Sequence, residues 1–161
     1  MIFIGDMVTH ITVQTGGKQF DNAIIRYMRT RHKLYIGART AEQIKIRLAN
    51  LAAGHEEKKL DVKGRFIDTK VPRVVTLSSR EMLGAVREPL SAVLDAVLSV
   101  VEQTGDDMRA DIAKGGIVLT GGGVLAGFDW FLNQLFKVKV RRAENASNAA
   151  VEGAALALSR L

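Results

Sequence analysis

Three consecutive glycines, Gly121 to Gly123, follow a short apolar run that is rich in β-branched residues. In the amphipathic run that comes next, apolar residues recur at about helical spacing, at Leu125, Phe128, Leu132 and Leu135. This order predicts a strand over residues 116–120, a tight turn and then a helix. Because glycine has no Cβ, a ligand can approach the backbone of such a turn closely. The first N–H groups of the helix lack partners within it and carry its positive dipole end, so a phosphate is the favoured occupant.

A second glycine turn, Thr15-Gly16-Gly17, occurs earlier in the chain. Apolar and polar residues alternate over 7–14, which predicts a half-buried strand before this turn. A helix is predicted after it, with one apolar face made by Phe20, Ile24, Tyr27 and Met28. Two turns of this kind favour a phosphate site built from two loops. The alternative is that each turn only makes the tight connection from a strand to a helix.

A possible ribose-binding pair lies on the next predicted helix. Thr40-Ala41-Glu42-Gln43 has the form of a capping box, with Thr40 as the N-cap and the Gln43 side chain reaching back. The helix is expected to bury Ile44, Leu48 and Leu51, whereas Glu42 and Lys45, three residues apart, lie together off that face. One interpretation of this pair is a solvated ion pair. The other is that both groups reach the ribose and base of a nucleotide.

Two strands are predicted after this helix, over residues 58–66 and 73–77, joined by a loop that contains Pro72. Gly64 is expected to weaken the first strand or to mark a bulge. Together with the preceding helix, these strands resemble a small α+β subdomain inserted into the main lobe.

The rest of the chain is predicted to be largely helical around the glycine turn. Ser78 and Glu81 form a second capping box, in front of a long apolar stripe. Pro89 lies within this stripe and is expected to kink the helix or to divide it. Three further elements are predicted: a short helix capped by Asp106 or Asp107, a strand over 137–141, and a last helix capped within 145–147.

Composition excludes several classes of protein and site. Of the 161 residues, 47% are hydrophobic and 25% are charged, a balance typical of soluble globular proteins, and no apolar run is long enough for a transmembrane helix. The first residues lack the basic flank and long apolar core of a signal peptide. The absence of cysteine excludes disulfides, thiolate metal sites and cysteine nucleophiles, and is compatible with a cytoplasmic setting.

The net charge of +6 permits phosphate or acidic partners. Much of this charge lies at the end of one predicted helix, where cations suit the helix dipole, in Arg26, Arg29, Arg31 and Lys33. No aromatic residues alternate with these cations for base stacking, so nucleic acid is not an expected partner. No metal-binding residue is predicted, because the histidines fall in separate segments without ligand spacing, at His10, His32 and His55.

A dinucleotide-binding oxidoreductase is a remote alternative. Residues 121–126 fit the pattern G-x-G-x-x-[GA] between a predicted strand and helix, and Glu144 follows about twenty residues later. Only residues 145–161 remain after the next strand, so the βαβ unit is not extended into a full half-fold.

From about Gly5 to the end, the order of motifs resembles the C-terminal half of the MreB family of bacterial actin homologues, within the actin and heat-shock-chaperone ATPase superfamily. The matching stretches are Thr15 to Ile24, Ile36-Gly37, Thr40 to Lys45, Val62 to Arg65, Pro72-Arg73, Glu88 to Leu90, Glu102 to Thr104, and Asp111-Ile112 leading into Gly116 to Gly123. No single stretch is decisive, but the series, in one order with ordinary spacing, is specific.

The resemblance implies an α/β fold: an incomplete actin-like, ribonuclease-H-like lobe of mixed sheet with helices, plus a small inserted α+β subdomain. The lobe would comprise residues 1–38 and 78–161, with strands 7–14, 116–120 and 137–141 in one sheet. The inserted subdomain would comprise residues 39–77. The first two strands of the lobe's sheet would be missing, which leaves strand edges unpaired and prone to aggregation unless something covers them.

The resemblance also implies an adenine-nucleotide site, for ATP or ADP with Mg²⁺. Adenine and ribose would lie between two segments, Glu42, Gln43, Ile44 and Lys45 on one side and Gly121, Gly122, Gly123 and Val124 on the other. Gly16 and Gly17 would line the phosphate side. Where the family usually has an acidic residue after this glycine pair, the chain has Lys18, which changes the charge near the phosphates.

The family's first phosphate loop, of the form Asp-x-Gly-x-x-Thr, and its catalytic carboxylate would lie in the N-terminal half, outside the matched part. No catalytic residue is therefore predicted here, nucleotide binding is expected to be weak or absent in the isolated chain, and whether the chain is an enzyme stays open. The resemblance implies a cytoskeletal filament protein involved in rod cell shape, cytoplasmic or held at the inner face of the membrane through partners. Its expected partners are itself, full-length MreB-like subunits and, indirectly, membrane-associated shape-complex proteins. The alternative is a non-catalytic interaction module that binds filament subunits or a missing half.

Overall fold

The structure, a computed structural model, describes residues 2–3, 6–7, 9–54, 56–122 and 125–159. Gly5, His55, Gly123 and Val124 lie outside these ranges, so the site role expected of Gly123 and Val124 stays a prediction.

The described part of the chain contains both strands and helices. The strands are β1 Ile2–Phe3, β2 Asp6–Met7, β3 Leu34–Tyr35, β4 Lys59–Phe66, β5 Pro72–Ser78, β6 Ile117–Leu119 and β7 Val140–Arg142. The helices are α1 Gly17–Arg31, α2 Ala38–Leu48, α3 Ser79–Glu102, α4 Asp106–Gly115, α5 Phe128–Phe136 and α6 Ala149–Leu158. Their order along the chain is β1, β2, α1, β3, α2, β4, β5, α3, α4, β6, α5, β7, α6.

The helix predicted after the first glycine turn is α1, and its N-cap is Gly16. The predicted apolar face is largely buried: Phe20, Ile24 and Met28 lie in the core, while Tyr27 is partly buried against it. This helix forms as the 3.6-residue period predicts because its apolar stripe packs against both α2 and α3.

The N-cap of α2 is Gly37, so the prediction that Thr40 caps this helix is wrong. The backbone of Gly37 is extended, and its carbonyl already accepts a hydrogen bond from Ala41 N–H at 3.1 Å. That bond closes a helical turn around Thr40, and a residue inside the turn cannot adopt the extended backbone of an N-cap.

Strands β3, β4 and β5 form an antiparallel sheet in that order. Gly64 sits in continuous register opposite Arg73, so the expected bulge is absent from this strand pair. A Cβ at Gly64 would lie 2.6 Å from the carbonyl oxygen of Tyr35 and 2.7 Å from Cγ of Leu34. The close approach of β3 therefore leaves no room for a side chain at position 64, which explains why this residue is glycine.

The capping box of Ser78 and Glu81 is confirmed at the start of α3, where Ser78 Oγ accepts from Glu81 N–H at 3.3 Å. Pro89 does not divide α3, which runs unbroken from Ser79 to Glu102. The N-cap of α4 is Gly105, so neither Asp106 nor Asp107 is the cap.

Strands β6 and β7 form a separate parallel pair, with Val118 opposite Arg141. The strand predicted over 116–120 is confirmed in its central residues, whereas the one predicted over 137–141 is displaced to 140–142. Asn133 carbonyl accepts from Lys137 N–H at 2.9 Å, and Lys137 has a left-handed backbone, so the end of α5 delays the strand. The cap of α6 is Asn148, just beyond the predicted 145–147.

The strand predicted over 7–14 is wrong for residues 9–14, which form no regular element. Met7 belongs instead to β2, which pairs with β1. A strand needs a neighbour to accept and donate its backbone hydrogen bonds, and in the described part of the chain no strand pairs with residues 9–14.

One hydrophobic core joins α1, α2 and α3 to the β3–β4–β5 sheet and to α5. Its most deeply buried side chains are Ile24, Met28, Leu34, Ile44, Leu48, Leu77, Met82, Val86 and Leu132. The division into a lobe (1–38 and 78–161) and an inserted subdomain (39–77) stays a prediction. Across the described ranges, no helix combines the length and the apolar character needed to cross a membrane.

Candidate functional site

The first glycine turn presents backbone to open space at the start of α1. Gly16 N–H donates to Gln19 Oε1 at 3.0 Å, and the Gly16 carbonyl accepts from Gln19 N–H at 2.9 Å. Gly17 and Lys18 follow in the first turn of the helix, which contains no acidic residue. This end of α1 therefore combines first-turn N–H groups with the positive charge of Lys18, a combination that attracts anions.

Lys45 ties α2 to this turn. Its Nζ lies 2.9 Å from Asp21 Oδ1 and donates to the Gly17 carbonyl at 3.2 Å, and the two side chains are only 12% and 15% exposed. Among the ion pairs of the described residues, none joins Lys45 to Glu42. The solvated Glu42–Lys45 pair is therefore not formed in this structure.

The other predicted residues of α2 are divided between solvent and core. The side chains of Glu42 and Gln43 are exposed. Ile44 is 1% exposed and packs in the core, so its side chain holds the helix in place. Only Lys45, of the four residues predicted on this helix, contacts the glycine turn through its side chain.

The second glycine turn follows β6, but α5 does not begin at it. The N-cap of α5 is Gly127, and residues before it are held by Leu51 N–H, which donates to the Ala126 carbonyl at 2.8 Å. The helix expected directly after Gly123 is therefore wrong, because this attachment to the segment after α2 delays its start. The first-turn N–H groups of α5 belong to residues beyond the glycine turn.

The described glycines of this turn differ in what they offer. Gly121 has a φ of +92°, which favours glycine, and its N–H already donates to the Ala146 carbonyl at 2.6 Å. Gly122 is exposed, and among the described residues a Cβ there would meet only Ser147 Oγ, at 3.7 Å. The turn thus provides open space for a ligand, whereas the Gly121 donor is already used.

A cavity of about 210 Å³ lies between the two turns. Thr15 and Gly16 line it from the first turn, and Thr120 and Leu125 line it from the residues that flank the second. The remaining wall is apolar, made by Phe20, Val93 and Phe128. Pockets that enclose a drug-sized ligand have roughly 300–1,000 Å³, so this cavity has room for only part of a nucleotide.

Some residues that line the cavity were not predicted as site residues from the sequence motifs. Thr15 stands directly before a glycine pair and was placed in the first turn, and Thr120 stands directly before three glycines and was placed at the end of a strand; neither position carried a site prediction. Phe20 and Phe128 were predicted as core residues, and they are buried. Their apolar spacing gave no signal that they also face a cavity.

A family model described as MreB/Mbl protein matches residues 1–161 of the chain. The chain belongs to the MreB/Mbl family. It is 35% identical over 162 residues to the cell shape-determining protein Mbl of Bacillus cereus and 36% identical over 162 residues to the cell shape-determining protein MreB of Escherichia coli. Each match covers 100% of this chain but 49% and 47% of the relative, respectively. The chain thus spans about half the length of the curated relatives it matches.

Solved structures agree with the family. Crystal structures of MreB5 of Spiroplasma citri bound to AMPPNP and to ADP each match with a TM-score of 0.89 and 28% identity, over 94% of this chain and 46% of MreB5. A non-polymerising mutant of MamK bound to AMPPNP matches with a TM-score of 0.67 and 14% identity, over 86% of this chain and 42% of MamK, which supports the fold alone. The MreB/Mbl-family chain therefore has the fold of a partial actin-like lobe.

This MreB/Mbl-family chain also contains a polar cluster that its sequence did not reveal. Glu81 Oε1 accepts from the Tyr27 hydroxyl at 2.8 Å and lies 2.7 Å from His32 Nε2. Burial acts to raise the pKa of Glu81, but hydrogen bonds from Tyr27, His32 and the Ser78 N–H outweigh it and lower the pKa below 4.5. Burial and the neighbouring Glu81 raise the pKa of Tyr27 to about 12.

This cluster joins α1 to the start of α3 and does not line the cavity between the glycine turns. In the described ranges, no group of three or more His, Asp or Glu side chains is placed to hold a metal ion.

Proposed function

We propose that this chain is the adenine-nucleotide-binding half-module of an MreB/Mbl-type filament protein that acts in rod cell shape. The observation that carries the proposal is the cavity lined by Thr15 and Gly16 of the first glycine turn and by Thr120 and Leu125, which flank the second. The structure of MreB5 has been solved with AMPPNP and with ADP, and its fold matches 94% of this chain. The nucleotide would bind with Mg²⁺ coordinated by its phosphates.

The residues present fit this ligand in different ways. The turn before α1 supplies N–H groups and Lys18, so it suits the phosphates. The second turn supplies space at Gly122, and Leu125, just beyond the turn, lines the cavity with apolar surface that suits the base or ribose. Because Lys45 is held by Asp21 and the Gly17 carbonyl, its side chain fixes α2 beside the first turn, and its charge is balanced by the Asp21 carboxylate.

Titration of the folded chain with a fluorescent ATP analogue tests the proposal. We expect a weak but saturable signal that ADP reverses, since the cavity encloses only part of a nucleotide. Gly122→Val should weaken binding, because it places a β-branched side chain in the space left for the ligand. Gly105→Val is the matched control: its φ of −64° accepts a side chain, and no described atom lies within 4 Å of its added Cβ. The absence of a saturable signal at millimolar nucleotide would refute the proposal.

We further propose that the isolated chain does not hydrolyse ATP at a meaningful rate. Phosphoryl transfer needs a residue that orients the attacking water and carboxylates that hold Mg²⁺. Asp21, the acid nearest the first turn in sequence, is paired with Lys45, and Glu42 points into solvent on α2. Phosphate release should therefore be equal for the chain and for a Gly121→Val, Gly122→Val double variant. Turnover of about one per second or more, lost in the double variant, would contradict this.

As partners we propose subunits of its own kind and full-length MreB-like subunits, with membrane-associated shape-complex proteins as indirect partners. We place the chain in the cytoplasm, at the inner face of the membrane through those partners. Sedimentation of a full-length relative into filaments, with and without this chain, tests the first part. The chain should enter the pellet only when filaments form, and a chain that stays in the supernatant would contradict incorporation.

A further inference from the structure

The antiparallel sheet of β3, β4 and β5 has one face in the core and one face in solvent. Leu34, Val62 and Leu77 lie on the inner face and are 0%, 3% and 0% exposed. Exposed residues alternate with them along the strands and therefore point to the opposite side of the sheet. This outer face consists of Tyr35, Lys59, Asp61, Lys63, Arg65, Pro72, Val74 and Thr76.

The outer face carries three cations and one carboxylate. Lys59, Lys63 and Arg65 take part in no ion pair among the described residues, whereas Asp61 accepts a hydrogen bond from the Thr76 hydroxyl at 2.6 Å. Lys63 and Arg65 are neighbours on this face, about 7 Å apart along β4. That separation is shorter than the screening length of about 8 Å at physiological salt, so the positive potentials of the two side chains add.

Apolar surface lies beside these two cations. The register places Tyr35 opposite Arg65 and Val74 opposite Lys63, and residues opposite one another have their Cβ atoms about 5 Å apart. Tyr35 is 61% exposed and Val74 is 56% exposed. Each cation therefore stands next to an apolar side chain that is in contact with water.

We propose that the outer face binds an acidic, extended segment of a partner protein. Side chains on one side of an extended segment recur about every 7 Å, so carboxylates two residues apart match Lys63 and Arg65. Apolar side chains of the same segment would cover Tyr35 and Val74, which keeps water from the ion pairs and strengthens them. None of these residues lines the cavity between the glycine turns, and the inference does not depend on nucleotide binding.

The chemistry of the outer face disfavours other classes of occupant. Single-stranded nucleic acid binds through several stacked aromatic rings, and Tyr35 is the one aromatic residue of this face. A membrane-binding surface inserts its apolar side chains into the lipid, and Val74 is shorter than the lysine opposite it. A second copy of the chain would present the same positive face, and like charges repel.

Fluorescence anisotropy of a labelled twelve-residue peptide tests the proposal in the absence of nucleotide. Its odd positions are Glu, Glu and Val, repeated, and its even positions are serine, so the carboxylates and valines share one side of the extended peptide. We expect saturable binding at low salt that weakens as salt is added. The same peptide with lysine in place of glutamate is the control and should not bind.

Charge reversal on the outer face should weaken peptide binding. We expect a loss of at least about tenfold for Lys63→Glu combined with Arg65→Glu, because two attractive pairs become repulsive. The matched control is Arg39→Glu combined with Arg47→Glu, the same change of charge at exposed residues of α2, which packs against the inner face. It should change binding by less than about threefold. Val74→Ser, which removes apolar surface but no charge, should weaken binding about fivefold.

NMR chemical shifts of the chain locate the bound peptide, and far-UV circular dichroism establishes that each variant is folded. Shift changes should cluster at Tyr35, Lys63, Arg65 and Val74. The inference would be overturned by the absence of saturable binding, by equal losses in the two double variants, or by shift changes confined to other elements. Tighter binding of an oligothymidylate or of phosphatidylserine vesicles through the same residues would assign the face to another class of partner. Self-association of the chain that the Lys63→Glu, Arg65→Glu variant abolishes would overturn it in favour of a second copy.

Discussion

Replacing Lys45 by Met should destabilise the fold more than the loss of an exposed ion pair would. Lys45 Nζ lies 2.9 Å from Asp21 Oδ1, and the side chains are 12% and 15% exposed. Within the described residues, no other cation pairs with Asp21. Methionine keeps the apolar length of lysine but removes the ammonium, so the carboxylate of Asp21 is left without a counter-charge beside the Gly16-Gly17 turn.

The size of the expected loss in the free energy of unfolding follows from the burial of the Lys45–Asp21 pair. Removing one partner of a fully buried ion pair costs about 3–5 kcal/mol because the other charge stays desolvated. Since water still reaches some of both side chains, we expect a smaller cost of about 2–3 kcal/mol. At about 2–4 °C per kcal/mol for a domain of this size, the midpoint of thermal unfolding should fall by about 4–12 °C.

Urea denaturation followed by circular dichroism measures this loss, with Arg26→Met as the matched control. Arg26 lies 2.8 Å from Glu88, but these side chains are 61% and 76% exposed, so its loss should cost less than about 1 kcal/mol. Adding Asp21→Asn to the Lys45→Met variant should recover part of the loss, because it removes the stranded charge. The reasoning is refuted if Lys45→Met costs no more than Arg26→Met, or if the double variant is less stable than Lys45→Met alone.

Three further predictions concern backbone strain and pH. Gly127→Ala should destabilise by more than about 2 kcal/mol in urea denaturation, because φ is +73° and the added Cβ would overlap Ala52 N; Gly84→Ala, where the Cβ meets nothing within 4 Å, should be neutral or stabilising. Because the pKa of Glu81 is below 4.5 in the folded chain, the Glu81 carboxylate should stabilise the fold above about pH 4.5, and this stabilisation should be lost as the pH falls through the folded pKa. The free energy of unfolding, measured against pH in acid, should therefore fall less in Glu81→Gln than in the unmodified chain. The pKa of Tyr27 rises from 10.0 to about 12, so its contribution to the stability of the fold should be complete below pH 10 and be lost as the pH rises towards 12. In Tyr35→Phe, where Tyr27 is the remaining tyrosine, the absorbance of tyrosinate should appear near pH 12. A titration midpoint at pH 10 would contradict this.

Much of the helical and β structure could be predicted from periodicity and caps. The apolar stripe of α1, the two strands predicted over 58–66 and 73–77, and the capping box at Ser78 agree with the structure because each depends on residues close in sequence. The expectation that the two glycine turns form one nucleotide site stays a prediction, although Thr15 and Gly16 of the first turn line the same cavity as Thr120 and Leu125, which flank the second. The order of the motifs also identified the family.

The remaining positions depend on contacts far apart in sequence. Gly127 rather than Gly123 precedes α5 because the chain first bonds to Leu51, some seventy-five residues earlier, a contact that no local pattern encodes. Lys45 pairs with Asp21 and not with its helical neighbour Glu42, since α1 brings a better-shielded carboxylate against α2. Burial of Glu81 between Tyr27 and His32 likewise needs α1 and α3 to pack first.

The prediction that failed for residues 9–14 carries information about the molecule. Ile11 and Val13 alternate with polar residues as a half-buried strand requires, yet each is 40% exposed, and no strand within the described ranges pairs with them. The same holds for α6, whose composition is that of a buried helix although none of its residues is buried. These residues have side chains suited to burial that the described part of the chain does not provide. Ile11 and Val13 line an apolar groove that residues of α3, α4 and β6 also line, so the place where the local pattern and the structure disagree is an apolar surface in contact with water.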